Sequence, residues 1–146
     1  VIGDFIMRIS IQSWFVTVFV SVTMSGCGNV DGPRLATVTG KVTVNGKPVP
    51  RARITFIPER KGSPSYGGTN ADGVYRAMYN QNRAGAELGK HNVIIENPEP
   101  ETDDAGNLIS GGGFTIPEKY RHPGLLKADI KSGSNEVDFA LDATNN

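Results

Sequence analysis

The sequence predicts an all-β protein, a single antiparallel β-sandwich of about seven strands that follows an N-terminal signal segment. Apolar residues alternate with polar ones at a period of two from Thr37 onward, and no segment carries a convincing helical stripe longer than two turns. The 146 residues include 18 Gly and 9 Pro, and 38% of them are hydrophobic. This composition favours short strands separated by many turns, in one domain with short extra segments.

Charge and cysteine content exclude several classes of protein. Fifteen Lys and Arg balance fifteen Asp and Glu, so the chain lacks the basic face that nucleic-acid phosphates require. The same balance argues against a polybasic protein of the membrane surface. A single cysteine excludes an intramolecular disulfide framework and a cysteine-rich zinc site. We therefore expect no nucleic-acid partner, no metal and no cofactor.

Residues 1–26 have the features of a secretory signal peptide. An uncharged, largely apolar segment runs from Ile9 to Met24, directly after the positive charge of Arg8, and small residues follow it. The segment is shorter than the ~20 apolar residues that a membrane-spanning helix needs. The pattern therefore favours a cleaved signal, with an uncleaved membrane anchor as an alternative.

Met24-Ser25-Gly26-Cys27 resembles the lipobox of bacterial lipoproteins, in which a signal peptidase cuts before a cysteine that receives lipid. The resemblance implies that Gly26 precedes the cut, that the Cys27 thiol is acylated and that residues 27–36 form a lipidated tether. Met24 departs from the usual branched aliphatic residue. Several acyl chains, at ~0.8 kcal/mol per buried CH₂, anchor a domain that one chain holds marginally. The alternative is an ordinary cleaved signal with an unmodified cysteine.

The sandwich is predicted over residues 37–143, and it opens with a hairpin. The inward-facing residues of the first strand are Val38, Val42 and Val44. Asn45-Gly46 follows, which is the strongest short signal for a hairpin because both residues tolerate positive φ. The next strand ends at Pro58, which has no N–H to donate to a ladder. Its inward-facing residues are Ala52, Ile54 and Phe56, and its outward-facing residues are Arg53 and Thr55.

The second half of the domain repeats this pattern of short strands and turns. We predict a polar loop over residues 59–68, a turn over residues 70–73 and an acidic, glycine-rich excursion over residues 98–113. Two final strands are joined around residues 132–135. The inward-facing residues of this half are Tyr75, Ala77, His91, Val93, Ile95, Ala128, Ile130, Val137, Phe139 and Leu141.

Several stretches resemble carboxypeptidase regulatory-like domains. Residues 38–56 are similar to that family's opening pattern, G-x-V…G-x-P-V-x-G-A-x-V, residues 69–75 to its T-D-x-x-G-x-Y/F turn, and residues 89–93 to its G-x-Y-x-V strand. Here Arg51 replaces the usual Gly and His91 the usual aromatic residue. The resemblance implies a seven-stranded, transthyretin-like (prealbumin-like) sandwich. Because these motifs shape turns and packing, they support a fold more than an activity.

The same fold includes a hydroxyisourate hydrolase, whose signature contains Tyr-Arg-Gly-Ser and several histidines. In this chain Tyr120-Arg121 is followed by His122-Pro123, so we do not expect that activity.

Candidate residues for catalysis or metal binding are few. His91 is either a ligand or base, or a strand histidine that is hydrogen-bonded or exposed at a sheet edge, and the pattern favours the second interpretation. His122 has no second histidine near it in sequence, so the two make no recognisable zinc set. Asn70-x-Asp72-Gly73 matches part of a calcium loop but lacks its further oxygen ligands, which favours an Asx turn.

Four carboxylates occur within six residues of the acidic excursion: Glu99, Glu101, Asp103 and Asp104. Such oxygens suit calcium, but their mutual repulsion favours a solvated loop. The glycines at 111–113 lack the Gly-Lys-Ser/Thr ending of a phosphate loop and predict a flexible hinge.

These observations predict a non-catalytic module that is exported and lipid-anchored through Cys27, with a binding or structural role in the periplasm or on the outer surface. Its partner at the cell envelope would be a protein or a glycan. Loops 59–68 and 98–113 would present the contact surface, because long loops on a rigid sandwich are a common recognition scaffold.

Two alternative functions follow from single residue types. A carbohydrate-binding module would stack sugars on exposed tyrosines, with Tyr66 and Tyr120 as candidates. An unrecognised hydrolase would depend on His91 or His122, and it is the weaker alternative.

Overall fold

A computed structural model of the chain describes residues 32–97, 101–110 and 115–143. The predicted signal segment, Cys27 and the first residues of the predicted tether lie outside the described residues. In the part of the chain that the structure describes, no helix is long and apolar enough to cross a membrane.

The described residues are nearly all β and form two packed sheets, as the alternation predicts. In chain order the elements are β1 (Leu35–Val44), β2 (Lys47–Pro48), β3 (Arg53–Pro58), β4 (Ser65–Gly68), β5 (Val74–Arg76), β6 (Met78–Asn80), β7 (Arg83–Ala84), β8 (Ala86–Glu87), β9 (Gly89–Glu96), β10 (Glu101–Thr102), β11 (Leu108–Ser110), the 3₁₀ turn η1 (Glu118–Tyr120), β12 (Leu126–Ile130), β13 (Ser134–Glu136) and β14 (Phe139–Leu141). β1 begins two residues before the predicted start at Thr37.

The first sheet is built around β1. Along one side β1 pairs antiparallel with β8, β5 and β2, and along the other side it pairs with β13 and β14. The pairs with β13 and β14 are parallel, unlike the antiparallel pairing predicted throughout. Alternation shows which face of a strand is buried, but it carries no information about strand direction.

The second sheet has the order β12-β9-β3-β4-β6-β7, and all of its pairs are antiparallel. Its strand β4 lies within residues 59–68, which the sequence predicts to be a loop. Ser65 and Gly67 are the inward-facing residues of β4. A Cβ on Gly67 would lie 3.2 Å from the Tyr75 ring, so only a very small residue fits, and no apolar alternation marks the strand.

The core lies between the two sheets. The predicted inward-facing residues are buried there, and Val137 is partly buried against them. The rings of Phe56, Tyr75 and Phe139 form its centre, with centroids 6.0–6.3 Å apart. Thr55 is also buried, at 7% exposure, although the sequence predicts that it faces outward. It does lie on the outer face, where Tyr66 of β4 lies across from it on one side and Ile94 of β9 on the other.

The predicted turns at Asn45-Gly46 and at residues 70–73 are confirmed. Asn45 and Gly46 have φ values of 49° and 77°, which suits the tight hairpin between β1 and β2. The Asn70 side chain accepts hydrogen bonds from the N–H groups of Asp72 and Val74, at 3.0 and 2.9 Å. This is the Asx turn that the pattern favours.

Two segments contain more strand than the sequence predicts. The excursion at 98–113 includes the hairpin of β10 and β11, and the chain end contains three strands, β12 to β14, where two are predicted. Residues 134–136, of which the first two fall in the predicted turn, pair with β1 although they carry no apolar side chain. Strand pairing is a backbone property, so polar strands escape a search for apolar alternation.

Candidate functional site

The two histidines occupy different environments. His91 is buried, its Nδ1 lies 3.0 Å from the Gly89 carbonyl oxygen, and its ring packs edge-on against Phe56. Its Nε2 has no hydrogen-bond partner within the described residues. His122 is exposed, with Nε2 3.6 Å from a carboxylate oxygen of Glu118. His91 is therefore a strand histidine of the core, as its inward position predicts, but it is not exposed at an edge and only Nδ1 has a hydrogen-bond partner within the described residues.

The two candidate tyrosines, Tyr66 and Tyr120, also differ in exposure. Tyr66 is 50% exposed on β4. Tyr120 is buried by η1, and its hydroxyl accepts a hydrogen bond from the Asp142 N–H at 3.1 Å. The expectation that Tyr120 forms part of a sugar-stacking surface is therefore wrong, because η1 folds its ring onto the core. Tyr66 remains a candidate for stacking against a sugar ring.

The carboxylate of Asp103 is occupied within its own turn. It accepts hydrogen bonds from the N–H groups of Ala105 and Asn107 and from the Asn107 side-chain amide, at 2.7–3.0 Å. These donors, led by the Asn107 amide, hold the pKa of Asp103 below its usual range. Glu99 lies outside the described residues. Within them, no three His, Cys, Asp or Glu side chains converge as a metal site would require.

A concave surface of the described residues lies where strands β3 and β4 run side by side. We call it the β3–β4 groove, and its volume is about 610 Å³. Its lining residues come from the turn before β3, from β3 and β4, from the last residue of β5 and the first of β6, and from the end of β9 with the residue after it. They are Arg51, Ala52, Arg53, Thr55, Tyr66, Gly67, Gly68, Arg76, Met78, Glu96 and Asn97.

Three arginines give the groove its charge. Arg51, Arg53 and Arg76 line it together with a single carboxylate, Glu96, so the lining has a formal charge of +2. All three arginines are exposed, and Arg51 and Arg53 also interact with other groups of the protein. A guanidinium presents a planar fork of donors that matches a carboxylate or a phosphate.

Arg51 reaches the groove from an unusual backbone conformation. Its φ is +61°, and it follows Pro50 as the second central residue of a turn. That position requires positive φ and is normally glycine, because a side chain there costs about 1–2 kcal/mol. Glycine tolerates this positive φ without steric cost, whereas this chain has an arginine here.

The side chain of Thr69 holds this turn in place. Its hydroxyl donates to the Val49 carbonyl at 2.6 Å and accepts from the Ala52 N–H at 2.8 Å. Its backbone N–H and carbonyl bond to the Ala52 carbonyl and the Arg51 N–H, at 3.0 and 2.9 Å. Thr69 is buried, so these bonds form away from solvent. One residue thus fixes the wall from which Arg51 projects.

Glycine and one tyrosine shape the rest of the groove. Gly68 faces the groove opposite Arg53, and a Cβ placed on it would meet nothing within 4 Å. Tyr66 lies next to Gly67, directly across the ladder from Thr55 on one side and Met78 on the other. The absence of a side chain at Gly68 leaves the space beside the half-exposed Tyr66 ring open.

The sequence does not predict this groove. Its pattern places Arg53 on the outer face and Tyr66 among the exposed residues. Because residues 59–68 are predicted to form a loop, the pairing of β3 with β4 that brings the two residues together is not predicted. The substitution at Arg51 was the available signal, since an arginine in a glycine position of a turn marks a strained residue.

Comparison with known proteins does not identify a family. No protein family and no curated protein matches the chain. Among solved structures, a DUF3823 family protein from Parabacteroides merdae is similar with a TM-score of 0.40 and 14% identity, over 75% of this chain and 46% of that one. The chain thus spans less than half of that protein's length. The β-sandwich is observed, and membership of the carboxypeptidase regulatory-like family stays a prediction.

Proposed function

We propose that this chain is a non-catalytic, exported module that is anchored through lipid on Cys27 and binds an envelope ligand in the β3–β4 groove. The observation that carries the binding role is the groove itself, where three arginines and a half-exposed tyrosine line about 610 Å³. Its volume falls in the range of about 300–1,000 Å³ that is typical of small-ligand sites.

The placement of the candidate catalytic residues supports a non-catalytic role. His91 is a core residue, and His122 lies on the surface beside Glu118. Neither histidine lines the groove, so a hydrolase that depends on them would need a second, separate site. The resemblance to carboxypeptidase regulatory-like domains points to a fold used for support or recognition.

A carbohydrate ligand is the second candidate function, and the position of Tyr66 favours it. The ring projects from a strand that is paired on both sides, and it presents a flat apolar face beside polar groups. That combination suits a sugar ring, which carries apolar C–H faces and polar edges.

Blocking the groove tests the binding role. We would measure retention of the purified full-length chain on a panel of immobilised envelope polysaccharides, with Gly68→Trp as the blocked variant. Because Gly68 faces open space, Gly68→Trp should fold and lose retention at least about tenfold. Ala140→Trp, at an exposed position of the first sheet, is the matched control. Equal retention of all three proteins, or retention of none, would refute the groove as the binding site.

The lipid anchor needs its own measurement. Full-length protein expressed in a bacterial host should yield an N-terminal peptide that begins at Cys27 and carries the mass of acyl chains. The Cys27→Ser variant should lose that mass and leave the membrane fraction. An unmodified Cys27 in the mature protein would show that the signal is an ordinary cleaved one.

A further inference from the structure

The β3–β4 groove offers a ligand side chains and no free backbone ladder. Strand β3 is paired with β9 and β4, and strand β4 is paired with β3 and β6. A peptide that binds as an added strand needs an unpaired sheet edge. The ligand of this groove must therefore be recognised through its own functional groups, which disfavours an extended peptide.

The charge of the groove selects the kind of functional group. Three guanidinium groups against one carboxylate favour an anion, and the planar fork of arginine matches a carboxylate with two parallel hydrogen bonds. Arg51 is the most informative of the three. Glycine would suit its backbone conformation better, and the arginine that stands there instead adds a guanidinium to the wall of the groove.

The exposed tyrosine indicates that the ligand contains a ring besides its charged group. Tyr66 is one of the most exposed large hydrophobic residues of the described part of the chain, yet it lies within the groove and not on a loop tip. Gly68, beside it on the same face, leaves space above the sheet. A small anion such as phosphate would use the arginines alone, whereas a ring that carries a carboxylate would use the arginines and the tyrosine together.

From this arrangement we infer that the groove binds a carboxylate-bearing saccharide, a uronic acid unit of an acidic polysaccharide. The carboxylate lies against the guanidinium groups of Arg51 and Arg76, and the apolar face of the sugar ring stacks on Tyr66. This inference rests on the proposed binding role of the groove and specifies the chemical class of its ligand.

Matched ligands separate charge from ring. The affinity of the purified full-length chain would be measured by calorimetry for oligogalacturonate, for its methyl ester and for poly-glutamate. The first two share a sugar ring and differ in charge, and the third carries carboxylates without a sugar. We expect binding of oligogalacturonate, binding of the methyl ester at least about tenfold weaker, and weaker binding of poly-glutamate as well.

Matched variants separate binding from folding. Arg76→Gln should weaken oligogalacturonate binding about tenfold, and Tyr66→Ala about fivefold. Arg121→Gln, at a surface arginine paired with Glu118, should bind like the wild type. Arg51→Gly should weaken binding without lowering the melting temperature, because it relieves the positive φ. A purely structural Arg51 would instead lower the melting temperature and leave binding unchanged.

The other outcomes are distinguishable. Equal affinity for oligogalacturonate and its methyl ester, lost in Tyr66→Ala, would overturn the acidic ligand and leave a neutral sugar site and the proposed binding role intact. Poly-glutamate binding as tight as that of oligogalacturonate, unaffected by Tyr66→Ala, would show a non-specific anion surface. Binding of none of the three would overturn the saccharide, while the polysaccharide panel with Gly68→Trp still decides the binding role.

Discussion

Two regions of this sandwich each contain a strand glycine and a buried hydroxyl group, but the two glycines have opposite effects on packing. In the first sheet, Gly40 lies so close to Val137 that a Cβ would overlap the Val137 carbonyl oxygen. That carbonyl accepts a hydrogen bond from the Tyr75 hydroxyl at 2.6 Å. We call this contact the Gly40 junction, and its glycine allows the backbone of β1 to approach the backbone at Val137 closely.

In the second sheet, the glycine opens space. Gly68 faces the β3–β4 groove with nothing within 4 Å of a Cβ, and the adjacent Thr69 hydroxyl donates to the Val49 carbonyl at 2.6 Å. The junction closes the core, and the groove leaves a surface free for a ligand. A glycine within a strand therefore marks a close approach or a vacant surface, and the strand across from it decides which.

The largest effect is expected at the junction. Gly40→Ala should lower the free energy of unfolding by about 3 kcal/mol, because the methyl group overlaps backbone that cannot move aside without breaking β1 pairing. Urea unfolding followed by circular dichroism measures it. A loss below about 1 kcal/mol would mean that the first sheet adjusts its spacing and that the junction is not tight.

The hydroxyl beside the groove should come next. Thr69→Val keeps the shape but leaves the Val49 carbonyl and the Ala52 N–H unpaired in a buried position, which should cost about 2 kcal/mol. The control is Thr43→Val, whose hydroxyl makes no hydrogen bond within the described residues and which should change stability by less than about 0.5 kcal/mol. Equal losses in the two variants would show that Thr69 does not hold the turn.

The hydroxyl of the junction should contribute less and should add a dependence on pH. Tyr75→Phe removes one hydrogen bond, and we expect a loss of about 1 kcal/mol at neutral pH. Burial, and secondarily the charge of Asp138, raises the pKa of Tyr75 well above its ordinary value. The folded protein therefore holds a proton that the unfolded chain releases near pH ~10.

The sign of this effect follows from linkage. The contribution of Tyr75 is complete below the unfolded pKa and is lost as the pH rises above it toward the folded pKa. Wild-type stability should fall above pH ~10 more steeply than that of Tyr75→Phe, so the two curves should converge. Parallel curves between pH 8 and 11 in equilibrium unfolding would contradict the buried phenol.

The smallest effect is expected in the groove. Gly68→Ala should change the free energy of unfolding by less than about 0.5 kcal/mol, because its methyl group enters open space on an exposed face. Thermal unfolding beside Gly40→Ala gives the most direct comparison of the two glycines. A loss as large as that of Gly40→Ala would mean that the groove is closed by packing and is not available to a ligand.

Much of the fold followed from local chemistry. Residues 38–44 alternate in side-chain polarity, and residues 91–95 place Val93 and Ile95 on the same face. Burial of one face is the way such a strand gains stability, so their inward side chains were predictable. Asn45-Gly46 and the Asn70 turn were predictable for a similar reason, since their conformations depend on residues that tolerate positive φ or bond their own backbone.

Strand β4 and the groove were not predictable, and the reason is the same for both. The inward side of β4 must be small because it faces the Tyr75 ring, which comes from another strand. The residues near Ser65 in the sequence do not indicate that Tyr75 will lie against them. The direction of β13 and β14 beside β1 was hidden in the same way, because parallel and antiparallel partners bury the same face.

The sequence by itself determined the class of fold, the inward face of each apolar strand and the turns, because these depend on side chains a few residues apart. Tertiary structure decided which polar segments became strands, and it brought Arg51, Tyr66 and Arg76 to one groove. That meeting depends on β3 pairing with β4 and on the chain crossing between sheets from β5 to β6. Contacts between distant segments are set by the packing of the whole core, and no local pattern encodes them.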